Sequence, residues 1–172
     1  MRRLFSFFVV CAFSVFSPTL LAQDTTSQAT ATCNFDSTKQ LVVEYQRMSI
    51  NSRTPVFGYE IPYDRVWMPG GKPMTMFSNA PITVGGTVIP TGAYTMFVIP
   101  SEKQWILVIS RSTDTSGKYN QQEDLARVPM EYGELSSPES EFSIYFAHVA
   151  PGQCSMRLDL ERVRTWVIFQ EK

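Results

Sequence analysis

The side chains best suited to chemistry are two glutamates in the first half of the chain. Glu44 lies in an apolar run, and Glu60 lies in a stretch punctuated by proline and glycine. Two carboxylates are what acid–base cleavage of a glycosidic bond requires, so a carboxylate-dependent hydrolase is one hypothesis. Strand carboxylates more often pair with arginine, and Arg47 and Arg53 are close in sequence. We expect Glu44 to join a buried carboxylate–arginine network, with a ligand-binding polar cluster as the alternative.

The segment from residue 53 to 75 is the strongest candidate for a binding site. It is long, rich in aromatic residues and interrupted by proline and glycine. A long loop in a compact domain usually carries function or caps the core, so its aromatic rings either stack on a sugar or peptide or fill the end of the domain. The residues expected to hold a ligand are Arg53, Tyr63, Trp67, Lys72, Glu44 and Arg47.

Other chemistry is disfavoured. His148 is the only histidine and lies at the end of a predicted strand, where a solvated side chain is expected. Zinc sites need three or four ligands, and the chain shows no G-x-S-x-G, P-loop or S-x-x-K motif. We expect no catalytic residue, no metal and no cofactor, and we favour a protein that is not an enzyme.

The first twenty-two residues have the pattern of a secretory signal peptide. Arg2 and Arg3 precede an apolar stretch at residues 4–16, and Ala22 ends a typical cleavage site. The stretch is too short for a permanent membrane span, which needs roughly twenty residues. We expect a mature chain that starts at Gln23, is exported, and is periplasmic or released.

The cysteines predict one disulfide. Cys11 belongs to the predicted signal peptide, which leaves Cys33 and Cys154. A single pair in an exported protein is most simply a bridge, and it would close a loop of about 120 residues, worth about 4–5 kcal/mol. A redox or metal pair is the alternative, but no close-spaced partner is present.

Composition limits the possible partners. The formal net charge is −1, with 44% apolar and 13% aromatic residues. Such a chain has enough apolar residues to form one hydrophobic core, but it lacks the excess of positive charge that attracts nucleic acid. We expect the partner to be a small ligand or an envelope protein, with nucleic acid excluded.

The elements that must position these residues are strands. Residues 23–32 are polar and small, and we expect a flexible lead-in over residues 23–40, followed by a single β domain over residues 41–170. From Leu41 onward the apolar pattern has a period of two, and Gly85-Gly86 predicts a tight hairpin. Residues 93–99 are apolar on both faces, which indicates a central strand that ends at a turn beginning with Pro100. Later strands are predicted over residues 141–149, 154–160 and 163–169. About eight strands with short turns predict an all-β antiparallel sandwich or partly open barrel.

Several motifs together resemble an exported bacterial family, domain of unknown function 2911. They are Val43-Glu44-Tyr45, Arg47, Arg53, Gly58, Ile61-Pro62-Tyr63, Val66-Trp67, Gly70, Thr75, Ile82-Thr83-Val84-Gly85-Gly86, Ile89-Pro90-Thr91-Gly92-Ala93-Tyr94, Phe97-Val98-Ile99-Pro100 and Glu123-Asp124-Leu125-Ala126-Arg127-Val128. The resemblance implies an exported, mostly antiparallel β domain without an established activity. The family usually has an arginine and an asparagine after the tryptophan, and here Met68 and Lys72 stand in that region, which implies an altered site or none.

These observations favour an exported β-sandwich module that binds a ligand or an envelope partner through the loop at residues 53–75. A hydrolase using Glu44 or Glu60 is the alternative from another class. A purely structural envelope protein is the third. We also expect Asp124 and Arg127 to pair, tying the polar stretch at residues 111–124 to the strand that follows.

Overall fold

A computed structural model describes residues 28–51 and 55–172. The predicted signal peptide and Arg53 lie outside these residues. The strands are β1 Gln28–Asn34, β2 Gln40–Gln46, β3 Met74–Ser78, β4 Ile82–Val84, β5 Thr87–Ile89, β6 Gly92–Ile99, β7 Ile106–Ser110, β8 Asp124–Pro129, β9 Glu131–Ala150 and β10 Gln153–Glu171. Short 3₁₀ turns occur at Pro69–Gly71 and Gln121–Glu123. No helix in the described ranges is long and apolar enough to cross a membrane.

The strands form two antiparallel sheets. The larger sheet has the order β1-β2-β3-β6-β7-β8, and the smaller sheet has the order β5-β4-β10-β9. The sheets do not close into a barrel, and their arrangement confirms the predicted sandwich. The core contains side chains from both sheets, among them Leu41, Met96, Leu107, Phe142 and Phe169, each less than 2% exposed.

The predicted flexible lead-in is wrong for residues 28–34, which form β1. Ala29, Ala31 and Cys33 are buried, and the residues between them are exposed. β1 pairs with β2 along its full length, with Ala31 opposite Val43. Alanine and threonine alternate here with the two-residue period of a strand, but alanine contributes little hydrophobic contrast. The pattern therefore resembles a polar tail.

The middle of the chain follows the sequence prediction closely. β6 lies inside the larger sheet between β3 and β7, as expected for a strand that is apolar on both faces. The β4–β5 hairpin turns at Gly85 and Gly86, whose φ angles are 53° and 79°. Two successive positive φ angles are the requirement of a type I′ turn, and glycine meets it without steric cost.

The last strand doubles back on itself. Nineteen extended residues would span about 60 Å, yet the amide of Glu171 donates to the carbonyl of Gly152 at 2.8 Å. Glu161, with a φ of 56°, marks the point of reversal. The two predicted strands at residues 154–160 and 163–169 are thus the two arms of β10. β9, predicted over residues 141–149, is longer because it follows both arms, with register irregularities opposite Glu161.

The predicted disulfide between Cys33 and Cys154 is confirmed. It connects β1 in the larger sheet to β10 in the smaller sheet, with a Cα–Cα distance of 6.2 Å and a sequence separation of 121. Both cysteines are at most 1% exposed. The bridge therefore fastens the two layers to each other from inside the core.

Candidate functional site

A polar cavity lies on the outer face of the larger sheet. Leu41, Val43 and Tyr45 of β2 point into the core, and the alternation of the strand turns Glu44 outward. Two adjoining cavities of about 230 and 300 Å³ share Glu44 and Thr75. We call them together the Glu44 groove. Its outward-facing and rim residues are Gln28, Val42, Glu44, Gln46, Lys72, Pro73, Thr75, Phe77, Ala93 and Thr115.

Strand register determines the order of side chains along the groove floor. Glu44 lies opposite Thr75 of β3, and Val42 lies opposite Phe77. Phe77 in turn lies opposite Ala93 of β6. Because cross-strand neighbours share a face, the floor is polar near Glu44 and apolar near Phe77.

Two loops form the rim at the polar end. The 3₁₀ turn Pro69–Gly71 packs on β2 so closely that a Cβ on Gly70 would lie 2.4 Å from the Cβ of Gln46. Gly70 also has a φ of 68°, so glycine is required there for both spacing and backbone conformation. This turn delivers Lys72 to the rim. The stretch at residues 111–123 supplies Thr115 from the other side.

The second rim loop is fastened by a hydrogen-bonded cluster. The hydroxyl of Tyr119 donates to Oδ2 of Asp124 at 2.7 Å, and Nη1 of Arg127 donates to the same oxygen at 2.8 Å. The predicted Asp124–Arg127 ion pair is therefore confirmed. The Tyr119 ring also packs edge-on against Phe97 at 5.1 Å. Burial raises the pKa of Tyr119, and the Asp124 carboxylate raises it further, so the phenol stays protonated at neutral pH.

The polar groups of the groove keep unused hydrogen-bonding capacity. Oε2 of Glu44 accepts from Nε2 of Gln28 at 3.1 Å and from Oγ1 of Thr75 at 3.4 Å. Glu44 and Lys72 are both exposed. Within the described residues no ion pair involves either of them. The groove thus presents one carboxylate and one ammonium group to solvent, and neither neutralises the other directly.

The expected arginine network around Glu44 is absent from the described residues. Arg47 instead pairs with Glu141 at 3.4 Å, and both side chains are about half exposed. The expected burial of Glu44 was wrong, because Val43 and Tyr45 occupy the core-facing positions of β2. A carboxylate between them can only face outward.

The loop at residues 55–67 fills the end of the sandwich. The Trp67 ring contacts Phe57, Trp105 and Phe142 edge-on, with centroid distances of 5.5–6.1 Å. Phe57 is 9% exposed. These rings form a core cluster, so Trp67 is held away from the Glu44 groove.

Tyr63 lies at a different cavity of about 380 Å³, lined also by Asp64, Ser101, Glu102 and Lys103. Burial raises the pKa of Tyr63, with a smaller contribution from the charge of Glu102. Of the six residues predicted to bind a ligand, Arg53 lies outside the described residues, and among the other five the structure brings together only Glu44 and Lys72. Among the groove residues that were not predicted are Gln28, Gln46, Thr75, Phe77 and Thr115. The two-residue period of β2 and β3 could have identified Gln46, Thr75 and Phe77, but nothing local marks Gln28 or Thr115.

The other chemical candidates do not converge on the groove. Glu60 is exposed on the loop at residues 55–67 and is not among the residues that line the groove. Nδ1 of His148 lies 3.7 Å from Sγ of Cys154, a sulfur already in the disulfide. Across residues 28–51 and 55–172, no three histidine, cysteine or acidic residues cluster in a way that could hold a metal ion.

These features define an antiparallel, disulfide-linked β-sandwich with an open groove on the face of its larger sheet. The family model described as protein of unknown function (DUF2911) matches residues 26–169. The chain belongs to this family, and the resemblance noted from its motifs is confirmed. Searches of curated proteins and of solved structures gave no match.

Proposed function

We propose that the chain is an exported module that binds a small ligand in the Glu44 groove. The observation that carries this proposal is that two exposed, opposite charges, Glu44 and Lys72, line one cavity without forming an ion pair and are joined there by the side-chain amides and hydroxyls of Gln28, Gln46, Thr75 and Thr115. Polar groups converging in a cavity are the usual mark of a binding site.

Export is supported by two independent features. Residues 1–22 have the basic, apolar and small-residue order of a signal peptide. The Cys33–Cys154 disulfide suits an oxidising compartment, because cytosolic reductants keep thiols reduced.

A hydrolase receives less support than a binding module. Glycoside cleavage needs two carboxyl groups on opposite sides of the scissile bond. Glu44 is the one carboxylate among the described residues that line the groove. A single carboxylate is instead suited to orienting a ligand through charge-assisted hydrogen bonds.

The test is a titration of the chain starting at Gln23, followed by ¹H–¹⁵N NMR. Three probe classes are compared: neutral saccharides, amino acids with dipeptides, and inorganic phosphate or sulfate. We expect one class to shift amide signals of β2 and β3. Glu44→Gln and Lys72→Met should each weaken that binding about three- to tenfold, since each removes a charge-assisted hydrogen bond.

The matched control variants are Glu102→Gln and Lys103→Met, which remove the same charges at the other cavity. They should leave the affinity unchanged. The proposal fails if no class shifts the groove signals. It also fails if both groove variants bind as tightly as the unchanged protein.

A further inference from the structure

We infer that the ligand of the Glu44 groove is a neutral saccharide of at least two sugar units. This inference rests on the proposed function and adds the chemical class of the ligand. Three features of the groove support it: its balance of charge, its mixture of donors and acceptors, and an exposed aromatic ring at its apolar end.

Charge balance favours an uncharged ligand. The groove carries one negative group, Glu44, and one positive group, Lys72. A phosphate or sulfate would be attracted by Lys72 and repelled by Glu44 within the same cavity, and opposite effects of similar size nearly cancel. The net field in the groove therefore favours neither an anion nor a cation.

The hydrogen-bonding groups match hydroxyl groups. Gln28 and Gln46 have amide side chains, Thr75 and Thr115 have hydroxyls, and all four both donate and accept. Glu44 only accepts, and one of its oxygens, Oε2, already takes the bonds from Gln28 and Thr75. A sugar hydroxyl also donates and accepts, so adjacent hydroxyls can satisfy such a set in pairs.

Phe77 provides a stacking surface for the carbon face of a sugar ring. Its side chain is 47% exposed, although it lies within the face of the sheet. Its cross-strand neighbours Val42 and Ala93 are small, so they leave the ring face open. The polar and apolar cavities adjoin at Glu44 and Thr75, which lets one sugar unit stack on Phe77 while the next reaches the polar end.

An extended peptide fits the groove less well. Peptides that bind β proteins commonly add a strand to a free sheet edge, where the backbone supplies the hydrogen bonds. β2 is paired with β1 and β3, and β3 is paired with β2 and β6. The groove floor therefore offers side chains only, and a peptide would find no strand backbone to pair with there.

The experiment is calorimetric titration of the chain starting at Gln23 with maltose, cellobiose, chitobiose, lactose and trehalose. Glucose, alanyl-alanine and inorganic phosphate are the comparison probes. We expect at least one disaccharide to bind more tightly than glucose and to shift NMR signals of β2 and β3. Because the ligand is neutral, raising the salt concentration should change its affinity by less than about twofold.

Phe77 supplies the decisive variant. Phe77→Ala should weaken disaccharide binding about tenfold, because the stacking surface is lost. Phe77→Trp should retain or improve binding, which separates loss of stacking from loss of fold. Val88→Ala, at an exposed apolar residue on the other sheet, should have no effect.

Each remaining outcome shows which of the two proposals, ligand binding or saccharide specificity, fails. If alanyl-alanine or phosphate binds in the groove and no disaccharide does, the proposed binding function stands and the saccharide inference is overturned. If a disaccharide binds but Phe77→Ala leaves its affinity unchanged, the inference is also overturned. If no probe of any class shifts the groove signals, both proposals fail.

Discussion

The ion pairs of this domain differ most in how deeply their charged groups are buried. The Asp124 side chain is 9% exposed and accepts hydrogen bonds from both Tyr119 and Arg127. The Arg47–Glu141 pair is longer, at 3.4 Å, and about half exposed on both sides. Exposed ion pairs contribute little to stability, whereas removal of one partner from a buried pair leaves an uncompensated buried charge.

Replacement of arginine should therefore have unequal effects at the two positions. We expect Arg127→Leu to lower the free energy of unfolding by about 1–2 kcal/mol, below the full cost of a buried pair because Arg127 is itself 37% exposed. Arg47→Leu, the matched control, should change it by less than about 0.5 kcal/mol. Urea unfolding of both variants at neutral pH measures the difference. Equal destabilisation would show that Asp124 does not depend on Arg127.

Single side chains also show what the sequence can and cannot predict. The three-residue spacing of Asp124 and Arg127 was enough to predict their ion pair. The surroundings of Glu44 were not predicted correctly, although its apolar neighbours on β2 already implied an outward side chain. Its donor Gln28 lies sixteen residues earlier, and a partner so distant becomes visible only once the register of β1 and β2 is known.

Among the secondary-structure elements, the β4–β5 hairpin has the strictest sequence requirement. A Cβ on Gly85 would lie 2.5 Å from Cγ1 of Val128, a buried residue of β8. A Cβ on Gly86 would have no heavy atom within 4 Å. Both glycines have positive φ, so replacement by alanine strains the backbone at either position. Only at Gly85 does the added methyl group also clash with a neighbouring side chain.

The hairpin therefore offers a paired substitution test. Gly86→Ala should destabilise the fold by about 1 kcal/mol through backbone strain alone. Gly85→Ala should cost about 1–3 kcal/mol more, since the methyl group must displace the Val128 side chain. Thermal unfolding followed by circular dichroism gives both values. If the two variants have the same melting temperature, the Val128 side chain moves aside with no loss of stability.

Strands bounded by strong turn signals were predicted well, and those without such signals were not. Gly85-Gly86 and Pro100 marked the limits of β4 to β6 in the sequence. β1 was missed because its buried positions are filled mainly by alanine. The reversal within β10 depends on Glu161 in a left-handed conformation, which is sterically unfavourable for a residue with a Cβ, so the residue type at this position gives no turn signal.

The whole molecule depends on one covalent link between its two layers. Compared with the native chain, a Cys33→Ala/Cys154→Ala variant should lose about 4–5 kcal/mol, because the bridge closes a loop of about 120 residues in the unfolded chain. Guanidinium unfolding of the two proteins measures this loss.

The same bridge tests export. When the full chain is expressed with residues 1–22, the recovered protein should begin at Gln23 and contain no titratable thiol. A version starting at Gln23 and kept in a reducing cytoplasm should contain two. Two thiols in the protein made with residues 1–22, together with an intact N-terminus, would contradict the export proposal.

The position of the two cysteines has a consequence for biogenesis. A chain that begins at Gln23 contains only Cys33 and Cys154, so there is a single intramolecular pairing and no wrong isomer to correct. On the proposed export route, Cys33 emerges first and must wait as a thiol until nearly the whole domain has followed. Oxidative folding of this protein therefore calls for an oxidase rather than an isomerase, and its main hazard is a disulfide-linked dimer formed during that wait.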